Sequence, residues 1–320
     1  MPALSLELLP PRMYVEPTAL GQLLNFDLLF ANAGDRAYEL TSVALEVFDR
    51  DRARVFRRVL DEHGLRPAIH TIPDRIVPAG GSLLVFNPVH TFRRDVDLAS
   101  VRCVCELRTE SGETETVVAE AAPSEYGQQS EFHLPLVGRV LVANGHDFLS
   151  PHRRIDPAHP LAAELGLRAN SGRYAEDYSL AGEDGEATGL GAPVRAPGAG
   201  AVIAAVGEVP DNRTLREGGV EFPEFPPDPP TMIFGNHVVI DHGHGEVSVL
   251  GHLQHGSVDV SVGDTLRAKQ RIARLGLSGN TDFPHVHYQL QDGPDALRAE
   301  GLPFRFEGLG WLEPGTIVES

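Results

Sequence analysis

Asn236-His237-Val238-Val239-Ile240-Asp241-His242-Gly243, then Glu246-Val247-Ser248-Val249-Leu250-Gly251-His252-Leu253, and further on Pro284-His285-Val286-His287-Tyr288-Gln289-Leu290, are three apolar, β-branched runs of strand length. Each is bounded by glycine, proline or charged residues, which is the pattern of buried strands and not of a helical stripe. The first two are separated only by the glycine-rich Asp241–Gly245 turn, so they read as a hairpin. All three carry histidine, and that combination sets both the fold class and the search for chemistry.

Outward from these strands, the runs GRVLVAN from Gly138, RYAEDYSL from Arg173, GAVIAAV from Gly200 and QRIARLG from Gln270 extend one β-rich region over residues 138–320. It is interrupted at 209–231 by an acidic, proline-rich insertion including Pro223-Glu224-Phe225-Pro226-Pro227-Asp228-Pro229-Pro230. Proline removes backbone donors and fixes φ, so this piece is expected as a disordered surface loop or a semi-rigid flap, outside any sheet. Residues 122–137, with Pro123, Gly127 and a polar Gln-Gln-Ser run, read as a linker. Residues 1–121 repeat short strand-like runs (LSLELL, LLNFDLLFAN, LTSVALEVF, SLLVFNP, SVRCVCELR, TETVVAE) with turn signals between several of them. That spacing predicts an immunoglobulin-like β-sandwich, with one short helix expected between Val55 and Leu65. The fold class is therefore all-β, in two domains.

The formal charge of −18 over 320 residues argues against a sequence-independent grip on nucleic acid or anionic lipid. No apolar run reaches membrane-spanning length, and MPALSLELLPPRMY shows no secretory signal, so no export address is visible. Cys103 and Cys105 lie two apart on a predicted strand and share a face, where a structural role is expected and a disulfide between them would be strained.

For chemistry, His285 and His287 are separated by one residue, which on a strand puts both imidazoles on one face with Cα atoms about 6 to 7 Å apart. That distance lets one ring bind a metal while the other reaches a metal-bound water. His252 ends its strand and is a second candidate. His242 and His244 flank Gly243 at a flexible hairpin tip and are rejected as a chelating pair, because a rigid site needs rings fixed by their surroundings. Asp177 sits among apolar and aromatic neighbours, where a carboxylate must be paired or metal-bound. Glu176, on the opposite face, is expected to be solvated.

In order, Asn-His-Val-Val-Ile-Asp-His-Gly, Gly-His-Leu, Val-Gly-Asp, Leu-Gly-Leu-Ser-Gly-Asn-Thr and Pro-His-Val-His-Tyr resemble the lysostaphin-type (LytM-like) zinc metallopeptidases over roughly Gly138 to Asp292. The resemblance implies a mostly antiparallel β domain with one Zn2+ in a groove. It implies that Asp177 and His287 bind zinc and that His252 and His285 act as catalytic residues on the water and the oxyanion. It further implies hydrolysis of peptide bonds, with peptidoglycan peptide as the substrate class. One departure stands out: the family's first ligand, a histidine four residues before the aspartate, is replaced here by Arg173. His152 is expected to supply that ligand from upstream, with His146 and His159 as the other candidates. If none does, the site has two protein ligands, fewer than catalytic zinc needs. The competing readings are a catalytically silent member of the fold that binds a partner or cell-wall peptide, its metal site incomplete because of Arg173, and a metal-dependent amide hydrolase acting on another small peptide in the cytoplasm, which would fit the missing leader. The compartment stays open between cytoplasm and envelope.

Overall fold

The computed structural model describes residues 3–215 and 219–320. The chain divides into two units, Met1–Tyr126 and Gly127–Ser320.

In the first unit an antiparallel sheet joins Leu4–Leu9, Asp27–Asn32 and Ser82–Phe86. A second sheet runs in the order Thr114–Ala121, Ser100–Arg108, Tyr38–Phe48 and Arg54–Leu60, with Ile76–Val77 also paired to Tyr38–Phe48. Leu4, Leu28 and Phe30 from one sheet and Leu45, Val47, Val101 and Cys105 from the other meet in one apolar core. Cys103 and Cys105 are free and buried on the same side of their strand. Burial pushes the Cys103 thiol up to about 12, so neither residue is a ready nucleophile.

The helix expected between Val55 and Leu65 is instead the edge strand Arg54–Leu60. Tyr38–Phe48 offers eleven residues of open backbone, and pairing along it packs the partly buried Phe56 and Leu60 against the core while the exposed Arg54, Arg57 and Arg58 protect the outer edge. The only helical turn nearby is Ala68–Thr71.

The stretch read as a linker is packed. Ser124 bonds the Met13–Val15 segment of the first unit, while Gln129 and Ser130 donate backbone N–H groups to the two oxygens of buried Glu246, at 2.7 and 2.8 Å. Phe132, Leu134 and Leu136 are then buried within the second unit.

That unit is built on a sheet whose central order is Gly200–Val206, Asn236–Asp241, Val247–Leu253, Val286–Gln291, Glu176–Ala181 and Arg139–Asn144, antiparallel throughout. Val286, Tyr288 and Leu290 bury the apolar face of the middle strand. The opposite face carries His287, with Gly251 on one side and Asp177 on the other in direct register. Within the 209–231 insertion, Arg213–Thr214 pairs with Val220–Glu221, and residues 216–218 lie outside the described residues. The insertion ends in the helical turn Pro229–Phe234, where Pro229 and Pro230 occupy the first turn and the Asp228 carboxylate accepts from the Thr231 N–H at 3.2 Å. Proline is tolerated there because those N–H groups have no intrahelical partner. No helix among the described residues is long and apolar enough to cross a membrane.

Candidate metal centre

Asp177 is placed by its strand pairing, opposite His287 on one side and Asn144 on the other. It is 3 % exposed. Its Oδ2 accepts from Asn144 Nδ2 at 2.9 Å, which leaves Oδ1 for the groove. Around Oδ1 stand three imidazole nitrogens: Nδ1 of His287 at 3.1 Å, Nε2 of His152 at 3.3 Å and Nε2 of His285 at 3.3 Å.

His252 approaches from the next strand, its ring centroid 4.7 Å from that of His285 and 5.9 Å from that of His287. Its aim depends on a backbone irregularity. Asn236 pairs with Leu253 and Val238 with Leu250, so Val247–Leu253 carries one extra residue, and His252 takes the left-handed conformation, φ +58°. A bulge of this kind turns a side chain out of the normal alternation at a cost of order 1–3 kcal/mol. The loop that braces the ring is made possible by two glycines. A Cβ on Gly235 would lie 2.4 Å from the Ser278 carbonyl oxygen, and one on Gly279 would lie 2.3 Å from the Gly235 nitrogen.

The outer nitrogens of these rings reveal what the inner ones must do. His152 donates from Nδ1 to the carbonyls of Gly145 and Ala175, both at 3.0 Å. His252 donates from Nδ1 to the Ser278 carbonyl at 2.8 Å, and His285 from Nδ1 to the Phe283 carbonyl at 3.0 Å. A carbonyl only accepts, so each neutral ring carries its proton on Nδ1 and presents a lone pair at Nε2. Lone pairs facing a carboxylate repel one another unless positive charge lies among them. The donor set therefore fits a cation, and one borderline-soft metal taking imidazole nitrogen and carboxylate oxygen fits it best. His152, Asp177 and His287 offer ligand atoms all within 4.8 Å of one another. His285 shares Asp177 with them but is not part of that mutually close set.

The titration behaviour carries the same demand. Burial lowers the pKa of His152, but the charge and hydrogen bond of Asp177 outweigh it and raise the ring above its ordinary value. Burial likewise works to raise Asp177, yet His285 and His152 hold the carboxyl well below the usual range. His252 is pushed well down by burial and then by its neighbours His285 and His287, so it stays neutral.

Of the three upstream histidines, only His152 reaches the group. His146 is buried on the other side of the Glu176–Ala181 strand, 3.5 Å from Glu176 and edge-on to Tyr174 and Trp311. His159 is exposed and caps the helical turn Pro160–Glu164, its Nδ1 accepting from the Leu161 N–H. Arg173 is buried, 2 % exposed, and belongs to the turn ahead of the Asp177 strand. Glu176 does lie opposite Asp177, but it is buried at 4 % and accepts from the Tyr178 hydroxyl, so the expectation that it is solvated fails. The loop carrying His146 covers that face of the sheet. At the hairpin tip, His242 is bonded to Ala199 and Ser248, and His244 is exposed.

Supporting residues escaped the motif reading. Asn144 holds Asp177, Thr281 lies 3.2 Å from His285 Nδ1, and Asn170 donates to the His152 carbonyl at 2.9 Å. Phe234, from the insertion's helical turn, packs its ring 5.4 Å from that of His287. Gln289, two residues past His287, was within reach of the period-two rule, since it must share that residue's face.

Residues 181–299 match the sequence profile of peptidase family M23. That segment is an M23 peptidase domain. It contains His252, His285 and His287, while His152 and Asp177 lie just ahead of it. M23 peptidases are zinc enzymes, and the donor set of His152, Asp177 and His287 fits Zn2+. No curated protein matches the chain. Among solved structures, this chain is similar to the catalytic domain of the prophage-encoded M23 protein EnpA from Enterococcus faecalis, at 20 % identity over 40 % of this chain and 73 % of that one, TM-score 0.28. It is similar to the catalytic domain of lysostaphin from Staphylococcus simulans at 22 % identity, over 40 % and 74 %, TM-score 0.26. A zinc-containing peptidase from Vibrio cholerae aligns at 15 % identity over 87 % of this chain and 80 % of that one, TM-score 0.32.

Proposed function

We propose that the second unit is a zinc-dependent endopeptidase, that His152, Asp177 and His287 hold the metal, and that its substrates are peptides of bacterial peptidoglycan. The observation that carries this reading is the convergence of His152, His285 and His287 on one oxygen of buried Asp177. Zinc with three protein ligands and an open position supplies Lewis acidity, polarising the substrate carbonyl and making water acidic enough to ionise near neutral pH.

The chain's own groups do the rest. Asp177, with Oδ2 tied to Asn144, keeps its charge and its orientation and moves no proton. His285 and His252, each with its Nδ1 proton committed to a backbone carbonyl, have a lone pair at Nε2 ready to accept the proton of the attacking water. The same ring returns that proton to the leaving amine. While protonated, it stabilises the negative charge on the former carbonyl oxygen. Because both rings are anchored on their outer nitrogens, neither has to reorient between these steps. Phe283, stacked 4.3 Å from His285, and Phe234 beside His287 shield the group from bulk water.

The test is release of new amino termini from purified peptidoglycan by zinc-loaded protein. His285→Ala is expected to keep its zinc and lose about 10²- to 10⁴-fold in kcat, the range for a general base. Zinc-loaded wild type that opens no peptide bond in the wall would sink the substrate assignment, and inactivity on unrelated peptides as well would leave the reading of a silent binding protein.

A further inference from the structure

We propose that Gln289 and Gln291 form a one-way hydrogen-bonded relay that keeps the proton of His287 on Nε2 and so leaves Nδ1 open to the metal. The inference rests on reading His287 as a ligand.

His287, Gln289 and Gln291 alternate along one face of Val286–Gln291 and are 6 %, 1 % and 0 % exposed. His287 Nε2 lies 2.9 Å from Gln289 Oε1, Gln289 Nε2 donates to Gln291 Oε1 at 2.5 Å, and Gln291 Nε2 donates to the Gly293 carbonyl at 2.6 Å. An amide turned end for end exchanges donor for acceptor, and an imidazole can carry its proton on either nitrogen, so the row has two possible polarities. The Gly293 carbonyl removes one of them. It only accepts, so Gln291 must turn its NH2 toward it. Gln291 then offers Oε1 to Gln289, Gln289 offers Oε1 to the ring, and the ring must donate from Nε2.

This control is needed at His287 and not at the other rings. His152, His252 and His285 each meet a backbone carbonyl directly, whereas the outer partner of His287 is a side chain that could flip. The competing tautomer is also attractive in itself, because a proton on Nδ1 would donate straight to Asp177 Oδ1 at 3.1 Å and block coordination. Reversing the relay would instead set two acceptors face to face at Gly293, where the Gln291 side chain is itself 0 % exposed. Gln289 and Gln291 touch no reacting atom and are positioning residues.

The experiment uses the full chain, with zinc affinity measured by competition against a chromophoric chelator and the His287 tautomer read from long-range 15N–1H spectra of the metal-free protein. Gln289→Leu should weaken zinc binding about 10- to 100-fold, the usual loss for a partner of a ligating histidine, and move the proton to Nδ1. Gln291→Leu, which frees Gln289 to flip, should move both readouts in the same direction by less. Gln291→Glu still accepts from Gln289 but cannot donate to Gly293, so it should be less stable than wild type yet keep the Nε2–H tautomer and near-normal zinc affinity. A merely structural role would make Gln291→Glu bind zinc as poorly as Gln291→Leu, and that result would overturn the relay. So would unchanged affinity and tautomer in both leucine variants; if Gln289→Leu does not fold, the two Gln291 variants decide alone. His287→Ala separates the layers: zinc retained there would overturn the ligand assignment beneath the relay, whereas zinc lost there with both leucine variants normal would overturn the relay only.

Discussion

The strand Ser100–Arg108 in the first unit and the strand Val286–Gln291 in the second are both central in their sheets and both follow the period of two, yet they bury different things. On the first, Val101, Cys103, Cys105 and Leu107 turn into an apolar core, while the alternate residues are partly or fully exposed. On the second, both faces are buried, and one consists of His287, Gln289 and Gln291. Burying a polar group costs free energy unless each atom finds a partner, so a wholly buried polar row persists only where hydrogen bonds or a metal compensate it. The contrast shows that alternation locates a strand, and that the chemistry of its less obvious face locates the site.

The sharpest way to break this contrast is to remove the group on which the second strand's partners converge. Asp177→Ala should reduce bound zinc from about one per chain to almost none by elemental analysis, since two imidazoles alone make a poor zinc site. If zinc binding survives, the buried polar row serves something else. The matching change in the first unit is Leu107→Ala, which empties a position that is 0 % exposed. It should cost about 2 to 5 kcal/mol in that unit's unfolding while leaving zinc content unchanged. A loss of zinc in this variant would show that the two cores are not independent in their effects.

The smallest expected effect is a pH dependence confined to the second unit. His252 and His287 have folded pKa values lowered first by burial, so between those values and the unfolded value of about 6.5 the unfolded chain binds more protons than the native one. Metal-free protein should therefore lose stability as pH falls below about 6.5, by at most about 1.4 kcal/mol per pH unit for each ring. His152, whose folded pKa is raised, acts in the window above: its contribution builds up as pH falls through the folded value, is full below about 6.5 and no longer changes there. Trp311, the one tryptophan, reports this unit by fluorescence. A midpoint that does not move between pH 7.5 and 5.5, in wild type and in His252→Asn alike, would contradict the burial of neutral rings.

Much of this arrangement was legible in the linear order. The single residue between His285 and His287 forces both rings to one face of a strand, and the apolar neighbours of Asp177 imply a buried carboxylate that needs a cation. Where the sequence misled, the reason was tertiary in each case. Glu176 alternates away from Asp177 as expected, but the 145–159 loop and Tyr178 cover the face it reaches. The helix expected at Val55–Leu65 lost to an open strand edge that propensity cannot see. His152 stands on an irregular loop whose path is set by Asn170 and by the carbonyls of Gly145 and Ala175, so no local period could select it from His146 and His159. The left-handed turn of His252 likewise follows from one surplus residue in a strand pairing, a mismatch that appears only when both partners are known.

The Glu246 carboxylate, which takes both of its backbone donors from Gln129 and Ser130, has a practical corollary for dissecting the molecule. A truncated protein beginning at Gly138 would take both of those donors away from buried Glu246 and strip away Phe132, Leu134 and Leu136 as well. The workable cut falls before Gly127, so a minimal autonomous fragment must retain the eleven residues that composition alone would have discarded as a tether.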